Sequence, residues 1–166
     1  MARNLYRAFY RQHRLPVFKR IAESEARHAD ALACLLVQFD VTPVQGGYGA
    51  HQATYRRALG AGLASLAGAL DAAVGLEIED IDAIAEAAAR SNNVCVRRVM
   101  AQLGGGSFNH LRAFLRQFLA RGLTTEHPWQ DYVSAAELHM PCNLAYKILP
   151  LFQAKGVQPS GPLGLV

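Results

Sequence analysis

The chain has 166 residues, of which 51% are hydrophobic and 18% charged, enough apolar material for one sizeable core and close to the usual size of one domain. Seventeen Lys and Arg against thirteen Asp and Glu give a formal net charge of +4; no nucleic-acid-binding motif accompanies that excess, so nucleic acid is not expected as a partner. No apolar run approaches the roughly 18 residues that cross a bilayer, so no membrane span is expected either.

Cys34, Cys95 and Cys142 are odd in number, far apart and without a CxxC pair, which argues against both a disulfide framework and a thiolate zinc site. A reducing, cytoplasmic location is the expectation, with an exported one open if residues precede Met1. Cys95 is expected to act as a small buried hydrophobe.

The first twenty residues contain no acid, and Arg3, Arg7, Arg11 and Arg14 recur at helical spacing opposite Tyr6, Phe9, Tyr10 and His13. This pattern predicts an amphipathic helix with a solvated basic face. A transit peptide or an anion-docking face would look similar.

From Leu15 the pattern tightens. Phe18, Ile21, Glu25, His28, Leu32, Leu35 and Phe39 follow one another at intervals of three or four, the core stripe of a long bundle helix. Glu25 and His28 lie inside that stripe, where an ionised carboxylate is costly unless it is paired or coordinates a cation. A metal ion would meet that need; so would a rotated helix, or a hydrogen bond between the two neighbours.

Between Asp40 and Ala53 a proline and three glycines read as a connection, followed by a short helix around Thr54 to Leu59 that stops before Gly60 and Gly62. A second stripe then runs through Leu66, Leu70, Ala73 and Glu77, with Asp80 one turn further on. Glu77, Glu79, Asp80 and Asp82 fall within six residues and must repel unless solvated or bound to a cation. Asp82 could instead cap an alanine-rich helix running through Ala89 while its acidic neighbours face water.

Ser91, Asn92 and Asn93 mark the start of a further long helix, whose stripe is Val96, Met100, Leu103, Ser107, His110, Phe114 and Phe118. Gly104, Gly105 and Gly106 precede its polar pair, and each helical glycine costs roughly 1 kcal/mol relative to alanine. A close-packed neighbour or a local break would account for them.

The segments LPVFKRIAESEARHADAL, AVGLEIEDIDAI and GSFNHLRAF resemble the bacterial and archaeal family of ferritin-like domains of unknown function, whose bundle is related to those of rubrerythrin and ferritin. The resemblance covers Ala2 to about Leu138. It implies an all-α, ferritin-like up-down four-helix bundle over residues 1–138, with short extra helices. The tail over 139–166 departs from the resemblance, and Pro141, Pro150, Pro159 and Pro162 predict an irregular extension with one short helical turn around Leu144 to Leu149. It also implies a metal site of Glu25, His28, Glu77, Asp80 and His110, holding iron, or else manganese or zinc. Bundles of this type often pair, so a homodimer is among the expected states, although no exposed apolar stripe marks an interface.

Two departures weaken a full di-iron site, which takes two Glu and two Glu-x-x-His motifs. Ser107 stands where the second motif needs Glu, and the first helix supplies no carboxylate. The sequence therefore favours one metal, or an incomplete dinuclear centre, and a metal-binding bundle over an iron-dependent oxidoreductase or peroxide-reducing protein. A structural or interaction bundle without metal, its site degenerate and its Arg3, Arg7, Arg11 and Arg14 face the working surface, is the remaining alternative.

Overall fold

The computed structural model describes residues 1–43, 49–141 and 143–156. Among these it is all-α: α1 (Ala2–His13), α2 (Pro16–Gln38), α3 (Gln52–Ala64), α4 (Leu66–Ala89), α5 (Val94–Leu119), α6 (Ala135–His139) and α7 (Ile148–Ala154), with 3-10 turns at Gly49–His51, Trp129–Asp131 and Leu144–Lys147. None of these helices is long and apolar enough to cross a membrane. The chain divides into two compact units, Met1–Ala73 with Gln117–Thr125, and Val74–Arg116 with Glu126–Val166.

In the first unit α1 packs on α2 and α3. Its basic face is solvated as the spacing predicts, while Leu5, Tyr6 and Phe9 are fully buried. Phe9 meets Phe18 of α2 edge-on, with ring centroids 5.4 Å apart, a geometry favoured by the aromatic quadrupole. Burying each such ring contributes on the order of 2 kcal/mol. The helix ends where Arg14 turns left-handed at φ 56° and its N–H bonds back to the Tyr10 carbonyl. Leu15 is then extended, as a residue before proline should be, and Pro16 opens α2 at the position where a missing N–H does no harm.

Two expectations change here. The α2 stripe is buried through Ile21 and Glu25 but leaves Leu32 and Phe39 exposed, with Leu35 buried between them. The helix expected to stop before Gly60 runs on to Ala64, because Gly62 is a contact surface: a Cβ there would sit 2.1 Å from the Phe9 ring. His13 Nε2 lies 2.5 Å from the Gly62 carbonyl, fastening the same junction. The 44–48 part of the expected connection lies outside the described residues.

In the second unit α4 is continuous, so Asp82 caps nothing; its carboxylate accepts a hydrogen bond from the Tyr132 hydroxyl at 2.7 Å. α5 begins as expected at Asn93, whose Oδ1 accepts from the N–H groups of Cys95 and Val96. Cys95 is exposed in that first turn, as is Cys34 on α2, which corrects the expectation that Cys95 is buried. Cys142 lies outside the described residues.

The glycine run does not break α5. It lets the chain after residue 143 lie close against it: a Cβ on Gly105 would stand 2.7 Å from Ala145 Cβ, and one on Gly104 would stand 2.4 Å from Ile148 Cδ1. Leu144, Ile148 and Phe152, four residues apart, are buried. Asn109 ties the approach down, donating to the Gly105 carbonyl and to Asn143 Oδ1 and accepting from the Leu144 N–H. Arg112 and Arg116 donate to the Met140 carbonyl. The helical turn expected around Leu144 to Leu149 is present and longer than expected, continuing through α7, and the extension expected to be irregular carries core residues as far as Phe152. Pro150 is tolerated because it falls in the first turn of α7, where the N–H has no helical partner. Pro159 and Pro162 lie outside the described residues.

Candidate metal centre

Helical spacing puts Glu25 and His28 on one face of α2, in the first unit. Their side chains meet with His28 Nδ1 3.4 Å from Glu25 Oε1. Glu25 is buried and His28 half-buried, and the flanking Ile21 and Ala22 belong to the core. Glu25 therefore faces inward, while His28 sits where the stripe begins to open to solvent.

The second unit holds a matching pair built from two helices. Glu77 of α4 is fully buried between Leu76 and Ile78, themselves buried, so α4 is enclosed all round at this level. Its Oε2 lies 3.5 Å from Nδ1 of His110 on α5, and His110 is only 7% exposed. Ser107, one turn before His110, is buried beside it in sequence and in place of the Glu that a second Glu-x-x-His motif would need. Asp80 is half-buried one turn beyond Glu77, and Glu79 faces solvent.

Each unit thus contains one carboxylate and one imidazole in mutual reach on buried or half-buried positions. A carboxylate at such depth needs a compensating charge or donor, and the neighbouring imidazole answers part of that need. Imidazole nitrogen and carboxylate oxygen are also the donor set that suits Fe(II), Mn(II) or Zn(II).

A further group escaped the sequence reading. Ser134 opens α6 with a capping box, its hydroxyl accepting from the Glu137 N–H while the Glu137 carboxylate accepts from the Ser134 N–H. The same carboxylate accepts from the Tyr146 hydroxyl at 2.7 Å and from Lys147 Nζ at 2.8 and 3.0 Å. Burial pushes the Glu137 carboxyl up, but the hydrogen bonds from Lys147, Tyr146 and Ser134 outweigh it and hold the group at about 2. The S-A-A-E spacing was the available signal. Nearby, burial first, and then the hydrogen bond and negative charge of Asp82, push the Tyr132 hydroxyl up to about 12.

Residues 1–139 match the model of an uncharacterized protein domain, DUF2202. The chain belongs to that family. Uncharacterized protein MJ0754 of Methanocaldococcus jannaschii is 34% identical over 126 residues, covering 70% of this chain and 66% of the relative, so the match spans slightly under two thirds of that protein. The crystal structure of hypothetical protein MJ0754 from Methanococcus jannaschii DSM 2661 superposes with a TM-score of 0.72 at 26% identity, covering 92% of this chain and 83% of that one. The family match ends at His139, just before the chain that carries Leu144, Ile148 and Phe152 into the core of the second unit.

Proposed function

We propose that this DUF2202 chain is a ferritin-like metal-binding protein whose transition-metal ligands are drawn from Glu25, His28, Glu77, Asp80 and His110. The observation that carries this reading is the pairing of a buried carboxylate with an imidazole in each unit, Glu25 with His28 and Glu77 with His110. Two imidazoles and two carboxylates match iron, manganese or zinc in softness and balance a divalent charge. When bound, such an ion would supply Lewis acidity, and iron would add one-electron chemistry.

One metal is favoured over two by the residue that is missing. Ser107 replaces the carboxylate that would complete a second Glu-x-x-His motif, so the donor set has too little negative charge for two metals. The protein's own contribution would be to hold each imidazole beside a carboxylate, with Glu25 Oε1 3.4 Å and Glu77 Oε2 3.5 Å from Nδ1 of their histidines.

Anaerobic calorimetric titration of metal-free protein with Fe(II), Mn(II) and Zn(II) tests the reading. It requires saturable binding near one ion per chain and a melting temperature that rises with free metal, since a ligand of the native state stabilises it. Binding that is absent for all three ions, or unchanged in the His28→Gln, His110→Gln variant, contradicts it.

A further inference from the structure

The second unit carries a cavity of about 570 Å³ that the metal reading does not use, lined among others by Asp82, Phe108, Asp131, Tyr132, Lys147 and Leu151. This volume falls in the range that holds a small organic molecule. Its apolar part comes from Phe108 with Pro150 and Leu151, and its aromatic rings are Phe108, Tyr132 and Tyr146, the first two with centroids 6.4 Å apart.

The charge in the cavity is unbalanced. Lys147 is the cation there, and its Nζ is committed to the Glu137 carboxylate at 2.8 and 3.0 Å. The two remaining charged groups of the lining are the carboxylates of Asp82 and Asp131. Asp82 is kept in place by the Tyr132 hydroxyl at 2.7 Å, an arrangement that orients one carboxylate and leaves its negative charge in the cavity. The rise of the Tyr132 hydroxyl to about 12, caused by burial and then by Asp82 and Asp131, reports the same negative field. Lys147 Nζ lies 6.0 Å from the centroid of the Phe108 ring, at the outer edge of cation–π range.

Two carboxylates beside aromatic faces and an apolar wall make a receptor for an organic cation. We propose that this cavity binds a small amine, protonated or quaternary, with its ammonium group at Asp82 and Asp131 and its hydrocarbon part against Phe108 and Leu151. An anionic or neutral ligand of the same size would meet uncompensated carboxylates and lose that contact. The inference is independent of the metal reading, since none of the proposed metal ligands lines the cavity.

The test is NMR titration of isotope-labelled full-length protein with phenethylamine and with 2-phenylethanol, its neutral counterpart of similar shape. Saturable shifts at Phe108, Tyr132 and Leu151, with the amine binding about tenfold tighter than the alcohol or better, are expected. Asp131→Asn, an exposed position whose change leaves folding intact by its unaltered melting curve, should reduce the amine's advantage about threefold or more. Asp82→Asn retains an acceptor for Tyr132 and should do the same. Equal binding of amine and alcohol, an advantage unchanged in both variants, shifts centred elsewhere, or no saturable binding of the amine each overturn the proposal.

Discussion

Glu77 on α4 and His110 on α5 face each other inside the second unit, with Oε2 and Nδ1 3.5 Å apart and both atoms shielded from solvent. Removing one member of such a pair strands the other at depth. Glu77→Ala should therefore destabilise the metal-free protein by about 3 kcal/mol. Glu79→Ala, two residues away but exposed, should change stability by less than about 0.5 kcal/mol. Urea denaturation of both variants measures the difference, and similar midpoints would contradict the placement of Glu77.

Gly105 and Gly60 are both inside helices, yet alanine should act in opposite directions at the two positions. A Cβ on Gly105 meets Ala145 Cβ at 2.7 Å and its Cα at 2.9 Å, atoms that cannot swing away, whereas Gly60 has nothing within 4 Å. Gly105→Ala should cost about 1 to 3 kcal/mol despite the better helix former. Gly60→Ala should stabilise by about 0.5 to 1 kcal/mol. Thermal melts of the two variants check the sign of each.

The tail is structural in the same sense. Phe152 is 2% exposed, and Phe152→Ala should cost about 3 kcal/mol, the usual loss for a buried aromatic. Chemical denaturation that leaves this variant within about 0.5 kcal/mol of the parent would show that α7 does not belong to the core.

Two groups make stability depend on pH at opposite ends of the scale. Glu137 titrates at about 2 when folded against an ordinary 4.5, so the unfolded chain takes up the proton first on acidification. Its contribution is complete above pH 4.5 and drains away as pH falls toward 2. Tyr132 titrates at about 12 when folded against an ordinary 10, so the unfolded chain loses the proton first on alkalinisation. Its contribution is complete below pH 10 and is lost as pH rises toward 12. Glu137→Gln should flatten the acid limb of a melting-temperature profile and Tyr132→Phe the alkaline limb, each leaving the other limb in place.

How far the sequence could be read depended on the range of the interactions. Periodicity located α2, α4 and α5, placed Glu25, Glu77, Ser107 and His110 on buried faces, and found the Asn93 cap, because each of these follows from spacing within one helix. It failed where a distant residue decides. Gly62 reads as a helix breaker until Phe9 is packed on it, and the run from Gly104 reads as a weak point until Ala145 and Ile148 lie against it. The same pairing hid the ordered tail, whose prolines spoke locally for disorder while Leu144, Ile148 and Phe152 had a groove to fill. Asp82 looked like a cap because its partner, Tyr132, is fifty residues away.

The central claim is that Glu25, His28, Glu77 and His110 hold a metal, and it is tested most directly by elemental mass spectrometry on untagged protein purified without chelator. Wild type is compared with His28→Gln, His110→Gln and, to separate ligand loss from misfolding, with the melting curve of each variant. The account predicts close to one iron, manganese or zinc per wild-type chain, and its loss from a folded double variant. Wild-type protein without metal even after anaerobic loading, or a double variant that retains its full complement, would contradict it and leave the two Glu–His pairs as polar packing within each unit.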